Sequence, residues 1–467
     1  MTSSVWLRIT CAALLPWLCG CAGPSPYEWS DPLYQYAVDR PVNSEASEDD
    51  ADPKASAESR FVISQVYGDA LTMDDAIRLA MMNHPELARM GYQVSAASAR
   101  EVQAGLHPNP SFVFDGEALG SEAGPGGETA YLLEQEFLTA GKRKKAAAVA
   151  EADRVRAQAT FRATEFAIAT SVRRRFTQAV AAQRRHALLT QLAELSRTLE
   201  TVANARVEAG DAAEPDRLRA EVVAEQAAID QAAAESAAIA AQLALVAAIG
   251  DASVERIELF DDLDARPTIP DRKVILDLAL DRNQRIDLAE LGIQRAERAH
   301  DLARANATPN VVAAIGPRYS DPENETTLDV GASIELPIFD RNQGEIAATL
   351  ADRLSASAAL GTVKLNLMSA VSEAWSAYAS AQSTIGIYEQ SLLPKAERTL
   401  SLTREAYEAG KADYLRLLDA QQSYIRSQVA YVDALEALHL AAATLEGLMQ
   451  RDAPWRQSRP FKTGESS

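Results

Sequence analysis

The fold of this chain is decided by the stretch Asp329–Gly344, which reads DVGASIELPIFDRNQG. Every second residue in its first half is apolar, namely Val330, Ala332, Ile334 and Leu336. Small or acidic residues separate them, and this period-two alternation predicts a β-strand with one apolar face. After Pro337 the alternation gives way to a helix-like pattern that runs to about Gly410, roughly 100 Å at ~1.5 Å per residue. The sequence therefore joins a two-faced strand to a very long helix.

The overall composition limits the classes of protein to which the chain can belong. It has 467 residues and a formal net charge of −20. Nucleic-acid binding depends on clustered Lys and Arg, so this acidic excess argues against a nucleic-acid partner. No run of about 20 apolar residues follows the N-terminal region, which argues against a transmembrane helix.

The N-terminus carries an export signal. Residues 1–20 contain Arg8 and a short apolar segment, and they end in LCG before Cys21. This pattern resembles a lipoprotein signal peptide, so we expect cleavage before Cys21 and acylation of its thiol. Ala22 follows where an Asp would favour retention in the inner membrane, so outer-membrane sorting is expected. A plain secretory signal with an incidental cysteine is the alternative.

The rest of the chain is predicted to hold a tether, two large units, a linker and a tail. The acidic, Ser-rich stretch SEASEDDADPKASAES can bury little apolar surface, which predicts a flexible tether behind the acyl anchor. The expected boundaries are 21–70 for anchor and tether, 71–250 for the first unit, 251–272 for the linker, 273–450 for the second unit and 451–467 for the tail.

Matching residues recur about 200 positions apart and indicate a duplication. Six residues return 201 positions later: Leu87, Ala88, Gly91, Gln93, Pro108 and Asn109 match Leu288, Ala289, Gly292, Gln294, Pro309 and Asn310. The tripeptide EAG at 208–210 returns at 408–410, 200 positions later. This period is far longer than that of solenoid repeats, so one large unit has been duplicated.

Each unit is predicted to contain a helix, a β-hairpin, a longer helix and a final helix. Pro85 is expected to kink or restart the first helix, and Pro394 is expected to bend the second long helix. The position 200 residues before Pro394 is Glu194, a good helix former, so the two long helices should bend differently. Gly210 and Gly410 are expected to end them. A packing face on the second long helix is predicted at Leu367, Val371, Trp375 and Tyr378.

The hairpins at 110–138 and 310–338 are predicted to cross a membrane. Their strands are expected at 110–117, 129–138, 310–318 and 326–338. Apolar positions that alternate with acidic or small ones are predicted at Tyr131, Leu133, Phe137, Leu328, Val330, Ala332, Ile334 and Leu336. Strands of about ten residues with an apolar outer face and a polar inner face are typical of membrane β-barrels. The first strand of each hairpin alternates poorly.

Four strands cannot close a barrel, and open strand edges in lipid leave backbone groups unpaired at several kcal/mol each. The barrel must therefore be shared between chains. Two chains would give eight strands, whose side chains fill the interior, whereas three chains give twelve. A homotrimer is thus the smallest ring expected to conduct, and it would contact outer-membrane lipid.

Several segments together resemble the TolC family of outer membrane efflux channels. LTMDDAIRLAMMNHPEL resembles the family's first helix, and EAGKADYLRLLDAQ resembles its Gly-plus-LDA motif at a hairpin tip. ELPIFDRNQGEIA resembles the CzcC/CusC-like heavy-metal efflux branch. The resemblance covers roughly 70–450 and implies a mainly α fold with a small β part. It also implies a trimeric twelve-stranded β-barrel that continues into a long periplasmic α-barrel.

The same resemblance implies a function and partners. The chain is expected to be the outer membrane channel of a tripartite pump, with a periplasmic adaptor and an inner-membrane transporter of the resistance-nodulation-division type. Heavy-metal cations are the expected cargo, conducted passively. A drug-efflux channel or a protein-secretion channel of the same fold is an alternative. A lipid-anchored periplasmic coiled-coil protein with a small soluble sheet is another, and an enzyme is the least favoured.

The hairpin tips are the main candidate site. The chain is expected to turn back at Gly210 and Gly410. Leu218 and Leu418 are expected to face the same way, and this end of the molecule is expected to meet the adaptor. Asp419 matches a position where the family places a carboxylate ring, but the other such position is Arg416 in this chain. The duplication pairs Asp216 with Arg416 and Arg219 with Asp419. We expect Asp–Arg pairs between helices to close the tip as a weak latch, since exposed pairs contribute only about 0–1 kcal/mol each. Ordinary solvated charges are the alternative.

A second candidate site is the inner face of the barrel. Glu134, Glu136, Asp329 and Glu335 are predicted to face the lumen, where a ring of acids favours cations. These residues would otherwise only keep the lumen wet. The five histidines are scattered and the mature chain holds one cysteine, so no metal site has recognisable spacing. No cofactor and no catalytic arrangement is predicted.

Overall fold

The computed structural model describes residues 70–117, 127–210, 212–250, 258–260, 262–320, 323–409 and 411–450. The predicted signal peptide, Cys21, nearly all of the tether, Gly410 and the tail lie outside the described residues.

Helices make up most of the described chain, and the same order of elements occurs twice. The first half contains α1 Met73–Asn83, α2 Pro85–Gly105, β1 Ser111–Glu117, β2 Glu128–Phe137, α3 Lys142–Glu208 and α4 Glu214–Ile249. The second half contains α5 Arg272–Arg282, α6 Gln284–Asn306, β3 Val311–Ser320, β4 Glu325–Ile334, α7 Gln343–Ile387, a π-helical turn Tyr388–Leu392, α8 Leu393–Glu408 and α9 Tyr414–Met449. The described elements thus repeat the predicted helix–hairpin–long helix–helix unit.

The opening helix of each half is interrupted once. In the first half the break falls at His84, where Pro85 begins α2, as the proline predicts. In the second half the break at Asn283 was not predicted. Asn283 is buried, its Oδ1 accepts a hydrogen bond from the backbone N–H of Arg285 at 3.0 Å, and its Nδ2 donates to the carbonyl of Leu448 at 2.9 Å. This helix start depends partly on the carbonyl of Leu448, which is far away in the sequence, so the residues around Asn283 alone do not predict it.

The four strands form one antiparallel sheet in the order β1-β2-β3-β4. The last strand is shorter than predicted, because its final pair is Val311 with Ile334 and β3 offers no partner beyond Val311. Leu336 and Glu335 therefore lie outside the strand, and Pro337 does not end the ladder. Strands β1 and β4 are the edges of the sheet within the chain.

The helices form an open arc around α3. Near the sheet, α2 packs on α3, α3 on α6, and α6 on α7. Farther from the sheet, α4 packs on α3, α3 on α9, and α9 on α7 and α8. The edges of this arc are α2 and α4 on one side and α7 with α8 on the other.

One side of the arc carries the main hydrophobic core. Here α1, α5 and the segment around Leu259 and Leu263 cover buried residues of α3, α7 and α9. Leu71 joins this layer through a parallel bridge to Leu259. The predicted packing face of α7 is confirmed, because Leu367, Val371 and Tyr378 are buried in this core and Trp375 packs partly buried against it.

The second long helix is divided where the first is continuous. Residues Tyr388–Leu392 form a π-helical turn, and Pro394 lies in the first turn of α8. The backbone before Pro394 is helical, since Leu392 and Leu393 both have helical φ and ψ. A π-helical turn accommodates the missing N–H and the ring of a proline within a helical run. The predicted interruption at Pro394 thus takes the form of a π-helical turn, and the equivalent part of α3 is unbroken.

Two helices are long and apolar enough to span a membrane by length and composition alone, namely α4 and the run from α7 to α8. Little of their apolar windows is buried within the chain, 17% and 11% respectively. They are also the helices at the edges of the arc, so their exposed apolar surface lies where the arc is open.

Candidate functional site

The sheet has one apolar face that nothing in the described chain covers. Directly paired residues of neighbouring strands lie on the same face, so the pairs Phe112–Leu133, Leu133–Ile315 and Ile315–Val330 join all four strands. The large residues on this face are Phe112, Phe114, Tyr131, Leu133, Phe137, Ile315, Tyr319, Leu328, Val330 and Ile334, with exposures from 37% to 73%. Such a wide exposed apolar surface marks a contact with lipid or with another protein.

The opposite face of the sheet is polar. Glu134 pairs with Ser111 and Ala314, Glu136 pairs with Val312, and Asp329 pairs with Gly316, which places the three acids together on this face. Glu335 follows the end of β4, because β3 has no residue left to pair with it. The predicted end of the strand is therefore wrong, and the lumen position of Glu335 stays a prediction.

An arginine that sequence reasoning missed lies among these acids. Arg318 of β3 donates from Nη2 to Oδ2 of Asp329 at 2.7 Å and from Nη1 to Oε2 of Glu128 at 3.1 Å. The acids on the polar face of the described strands are Asp115, Glu117, Glu128, Glu134, Glu136, Glu325 and Asp329, and Arg318 is the one basic residue there. The polar face is therefore strongly acidic even after this pairing.

The junction between sheet and helices is held by the repeated Pro-Asn pair of the second half. Asn310 donates from Nδ2 to Glu136 at 2.6 Å, and its Oδ1 accepts from Lys142 Nζ at 2.6 Å. The Thr139 hydroxyl donates to the carbonyl of Pro309 at 2.5 Å. These contacts fix the start of α3 against the base of the second β-hairpin.

The far end of the arc has a small core of its own. Leu199, Ala203, Ala220, Tyr414 and Leu418 pack together there. Burial raises the pKa of the Tyr414 hydroxyl, and among the described residues this hydroxyl has no hydrogen-bond partner. Gly210 lies in the turn between α3 and α4 and has a φ of +80°, a left-handed conformation that glycine adopts without strain.

The four charged tip residues are not paired with one another within the chain. Asp216 is half-buried, while Arg219, Arg416 and Asp419 are exposed, and no ion pair joins any of them in the described residues. The nearby Arg217 instead pairs with Glu214 and, at 3.8 Å, with Glu221 of its own helix. Any latch built from the four residues must therefore form between chains.

The two tip leucines do not occupy equivalent environments. Leu218 of α4 is 50% exposed, whereas Leu418 of α9 is 6% exposed. The reason is the arc, because α9 has neighbours on both sides and α4 lies at an edge. These exposures reflect the neighbours of each helix in a single chain, so the expectation that both leucines face the same way stays a prediction.

Exposed apolar residues form a stripe along each edge of the helical arc. On α4 they are Leu218, Val222, Ile229, Ile239 and Leu243, and on α7 and α8 they are Leu350, Leu354, Leu365, Met368, Ile387 and Leu402. Steps of four, such as 218 to 222 and 350 to 354, keep these residues on one side of each helix. The described residues contain no group of three or more His, Cys, Asp or Glu side chains placed to hold a metal ion.

Comparison with known proteins bears directly on these surfaces. The cobalt-zinc-cadmium resistance protein CzcC of Cupriavidus metallidurans is 27% identical over 386 residues, which is 82% of this chain and 90% of that protein. The nickel-cobalt-cadmium resistance protein NccC of Alcaligenes xylosoxydans xylosoxydans is 28% identical over 60% of this chain and 64% of its own length.

Solved structures show the same fold. A crystal structure of CusC, described as forming a transmembrane channel, superposes with a TM-score of 0.68 at 17% identity over 81% of this chain and 91% of that chain. The outer membrane efflux protein family matches the chain twice, at residues 76–251 and 275–450. The chain therefore belongs to the outer membrane efflux protein family, as a channel protein of the outer membrane with a periplasmic extension.

Proposed function

We propose that three copies of this chain close into a channel that passively conducts heavy-metal cations to the exterior. A periplasmic adaptor and an inner-membrane transporter of the resistance-nodulation-division type would deliver the cargo. The observation that carries the proposal is that the sheet and the helical arc are both open at their two edges, and that the helical edges are apolar.

The edges argue for closure by copies of the same chain. In lipid, the unpaired backbone groups of β1 and β4 would each cost several kcal/mol, so β1 of one copy must pair with β4 of the next. The apolar stripe of α4 then meets that of α7 and α8 in the same neighbour. This contact is head-to-tail, and such contacts generate rings when the rotation closes. Three copies give twelve strands, enough for an open lumen.

The polar face of the sheet supports cations as the cargo. Seven acids and one arginine per chain lie on this face of the described strands. In a closed barrel the apolar face contacts lipid and the acidic face lines the lumen, and an acidic lining concentrates cations. The names of the relatives CzcC and NccC, which are cobalt-zinc-cadmium and nickel-cobalt-cadmium resistance proteins, favour metal ions among the possible cations.

The tip would be the end that meets the adaptor. We place Gly210, Gly410, Leu218 and Leu418 there as contact and turn residues. Arg416 of one copy would pair with Asp216 of its neighbour, and Asp419 would pair with Arg219, because these side chains have no ion-pair partner within the described chain. Exposed pairs of about 0–1 kcal/mol each would form a latch that adaptor contact can open.

The assembly is tested by placing a charge on each apolar edge. Val222→Asp on α4 and Leu354→Asp on α7 replace side chains that are 64% and 60% exposed in the single chain, so folding of one chain should tolerate them. The trimer should be lost, as measured by native mass spectrometry in mild detergent. The matched control is Val274→Asp on α5, an exposed apolar position outside both stripes. Edge variants that remain trimeric would contradict the proposal.

The cargo is tested by deleting the gene and comparing growth on zinc, cobalt, cadmium, copper and organic toxicants. Sensitivity to one or more metals alone is expected. Sensitivity to organic toxicants alone would replace the metal proposal with drug efflux, and loss of an exported protein without either sensitivity would indicate secretion. Purified protein in planar bilayers should form ion-conducting channels whether the cargo is a metal ion, a drug or a protein. A lipid-anchored periplasmic coiled-coil protein, the remaining alternative, should form none.

A further inference from the structure

A cavity that the channel function does not use lies where the two levels of the helical arc meet. It has a volume of about 460 Å³ and opens between the middle of α3, the N-terminus of α6 and the C-terminus of α9. Its polar lining includes Arg174, Arg175, Gln178, Asn283, Arg285 and Gln450. Its lining includes three guanidinium groups and, among the described residues, no carboxylate.

These arginines differ from their neighbours in α3. Arg173 pairs with Glu446 at 3.4 Å, and Arg185 pairs with Asp433 at 2.6 Å. No described carboxylate forms an ion pair with Arg174, Arg175 or Arg285, although the chain carries a net charge of −20. Arg175 donates to the side-chain oxygen of Gln178 at 3.2 Å. The three arginines are exposed and line one cavity that has no carboxylate in its described lining, so an anion bound there would be attracted by three positive charges.

The walls of the cavity are fixed by contacts that do not involve the arginine side chains. The N–H of Gln284 donates to Oε1 of Gln450 at 2.7 Å, and Asn283 donates to the carbonyl of Leu448. These bonds tie the start of α6 to the end of α9. At Gly447 an added Cβ would lie 2.6 Å from the Thr170 hydroxyl, so α9 and α3 touch closely beside the cavity. The first turn of α6 also contributes the positive end of its helix dipole, which Asp287 in the same turn partly offsets.

The cavity opens on the side of α3 that faces away from the hydrophobic core. Val172 and Phe176 are buried in that core, and Arg174 lies two residues from each. Two residues correspond to about 200° around an α-helix. The layer that contains α1 and α5 covers the core side, so Arg174 lies on the uncovered side of the arc. In the proposed ring this uncovered side is the wall of the tunnel.

We propose that this cavity is a binding site for a small multivalent oxyanion, of the phosphate or carboxylate type. Arg174 and Arg285 would each donate paired N–H groups to the anion, the geometry in which guanidinium groups bind oxyanions most strongly. Arg175, Gln178 and the N-terminus of α6 would complete the site. Three copies would place nine arginines at one level of the tunnel, between the acidic barrel and the tip. The position in the tunnel rests on the proposed channel, whereas the binding itself does not.

The test is calorimetric titration of the full-length protein in detergent with inorganic pyrophosphate. We expect saturable binding of one pyrophosphate per chain with a Kd of about 1 mM or tighter. Replacing both Arg174 and Arg285 by Gln should weaken it by at least about tenfold, since charged hydrogen bonds are lost. The matched control is Arg398→Gln on α8, which removes the same charge from an exposed position outside the cavity.

Two results would overturn the site. One is the absence of saturable binding by the parent protein, and the other is an equal loss of affinity in R398Q and in the double variant. Pyrophosphate should also lower the single-channel conductance of the parent in planar bilayers and leave that of the double variant unchanged. Binding without any effect on a conducting channel would overturn the tunnel-side position. A protein that binds pyrophosphate but never conducts would instead contradict the proposed function.

Discussion

Arg318 holds Asp329 through two hydrogen bonds to the same carboxylate oxygen, from Nε at 2.8 Å and from Nη2 at 2.7 Å. Glu128 binds the remaining side of the guanidinium at 3.1 Å. The two strands that carry Arg318 and Asp329 are neighbours, and the polar face of the sheet holds five acids of the described strands besides Asp329 and Glu128. Arg318 therefore makes the net charge of the polar face less negative by one unit.

Replacing Arg318 by Gln should increase the preference of the channel for cations. The variant leaves Asp329 and Glu128 without their positive partner, so the lumen of each chain becomes more negative by one charge. The reversal potential in a salt gradient across a planar bilayer measures this preference, and it should move toward the cation equilibrium potential. Arg318→Lys, which keeps the charge, should stay close to the parent. An unchanged or more anion-selective R318Q channel would contradict a lumen position for this residue.

The location of Arg318 shows where sequence patterns stop being informative. The apolar positions of β4 were predictable because period-two alternation is strong there, and Val330 is indeed exposed on the apolar face. Strand β3 reads VVAAIGPRYS, where small residues weaken the alternation. Its arginine gains meaning only from Asp329, eleven residues away, and from Glu128, 190 residues away. The side-chain partners of a strand residue depend on how neighbouring strands pair, and the sequence of one strand does not reveal that pairing.

The helix breaks give the same lesson. The break before α2 was predicted because a proline restricts its own backbone and its neighbour, which is a local effect. The break at Asn283 depends on the carbonyl of Leu448, 165 residues away, and on the buried position of the asparagine. The acid Glu335 was assigned to β4 because its alternation continues, but strand length is set by the partner strand, which starts at Val311. At the tip, exposure depended on which helices lie at an edge of the arc.

Gly316→Ala should destabilise the sheet by about 2 kcal/mol or more, as expected for steric overlap with backbone. A Cβ at this position would lie 1.8 Å from the carbonyl oxygen of Tyr131 in the neighbouring strand, so the backbone must move. The matched control is Gly331→Ala on β4, whose Cβ would meet nothing nearer than the Ala314 Cβ at 3.9 Å. Thermal unfolding followed by circular dichroism compares the two. Equal midpoints for the two variants would be inconsistent with the close approach of β2 and β3 at Gly316.

Stability should fall in mild acid because of His84. Its Nδ1 accepts the N–H of Glu86 at 3.2 Å and thereby caps α2. Burial lowers the pKa of His84, and the nearby carboxylate of Glu86 offsets part of that effect. The unfolded chain therefore takes up the proton first, at about pH 6.5. The contribution of neutral His84 is complete above this pH and is lost as the pH falls through the lower pKa of the folded state.

His84→Asn keeps a side-chain acceptor at the N-cap and removes the titration. The midpoint of thermal unfolding should then fall less between pH 8 and pH 5 than in the parent. His107→Asn, at an exposed position after α2, controls for the loss of a histidine as such. If H84N and the parent lose stability in parallel over this range, His84 is not the group responsible.

Removing a tip charge should make the channel conduct more, if pairs between chains hold the tip closed. Arg416 and Asp419 have no ion-pair partner within the described chain, so their alanine variants leave contacts inside one chain largely intact. Arg416 does contact Asp413, but through its backbone N–H, so this hydrogen bond survives the substitution by alanine. Single-channel recordings should show a higher conductance or open probability for Arg416→Ala and for Asp419→Ala. Arg217→Ala is the matched control, because its partners Glu214 and Glu221 lie on its own helix. It should conduct like the parent, and a latch is excluded if all three variants do so.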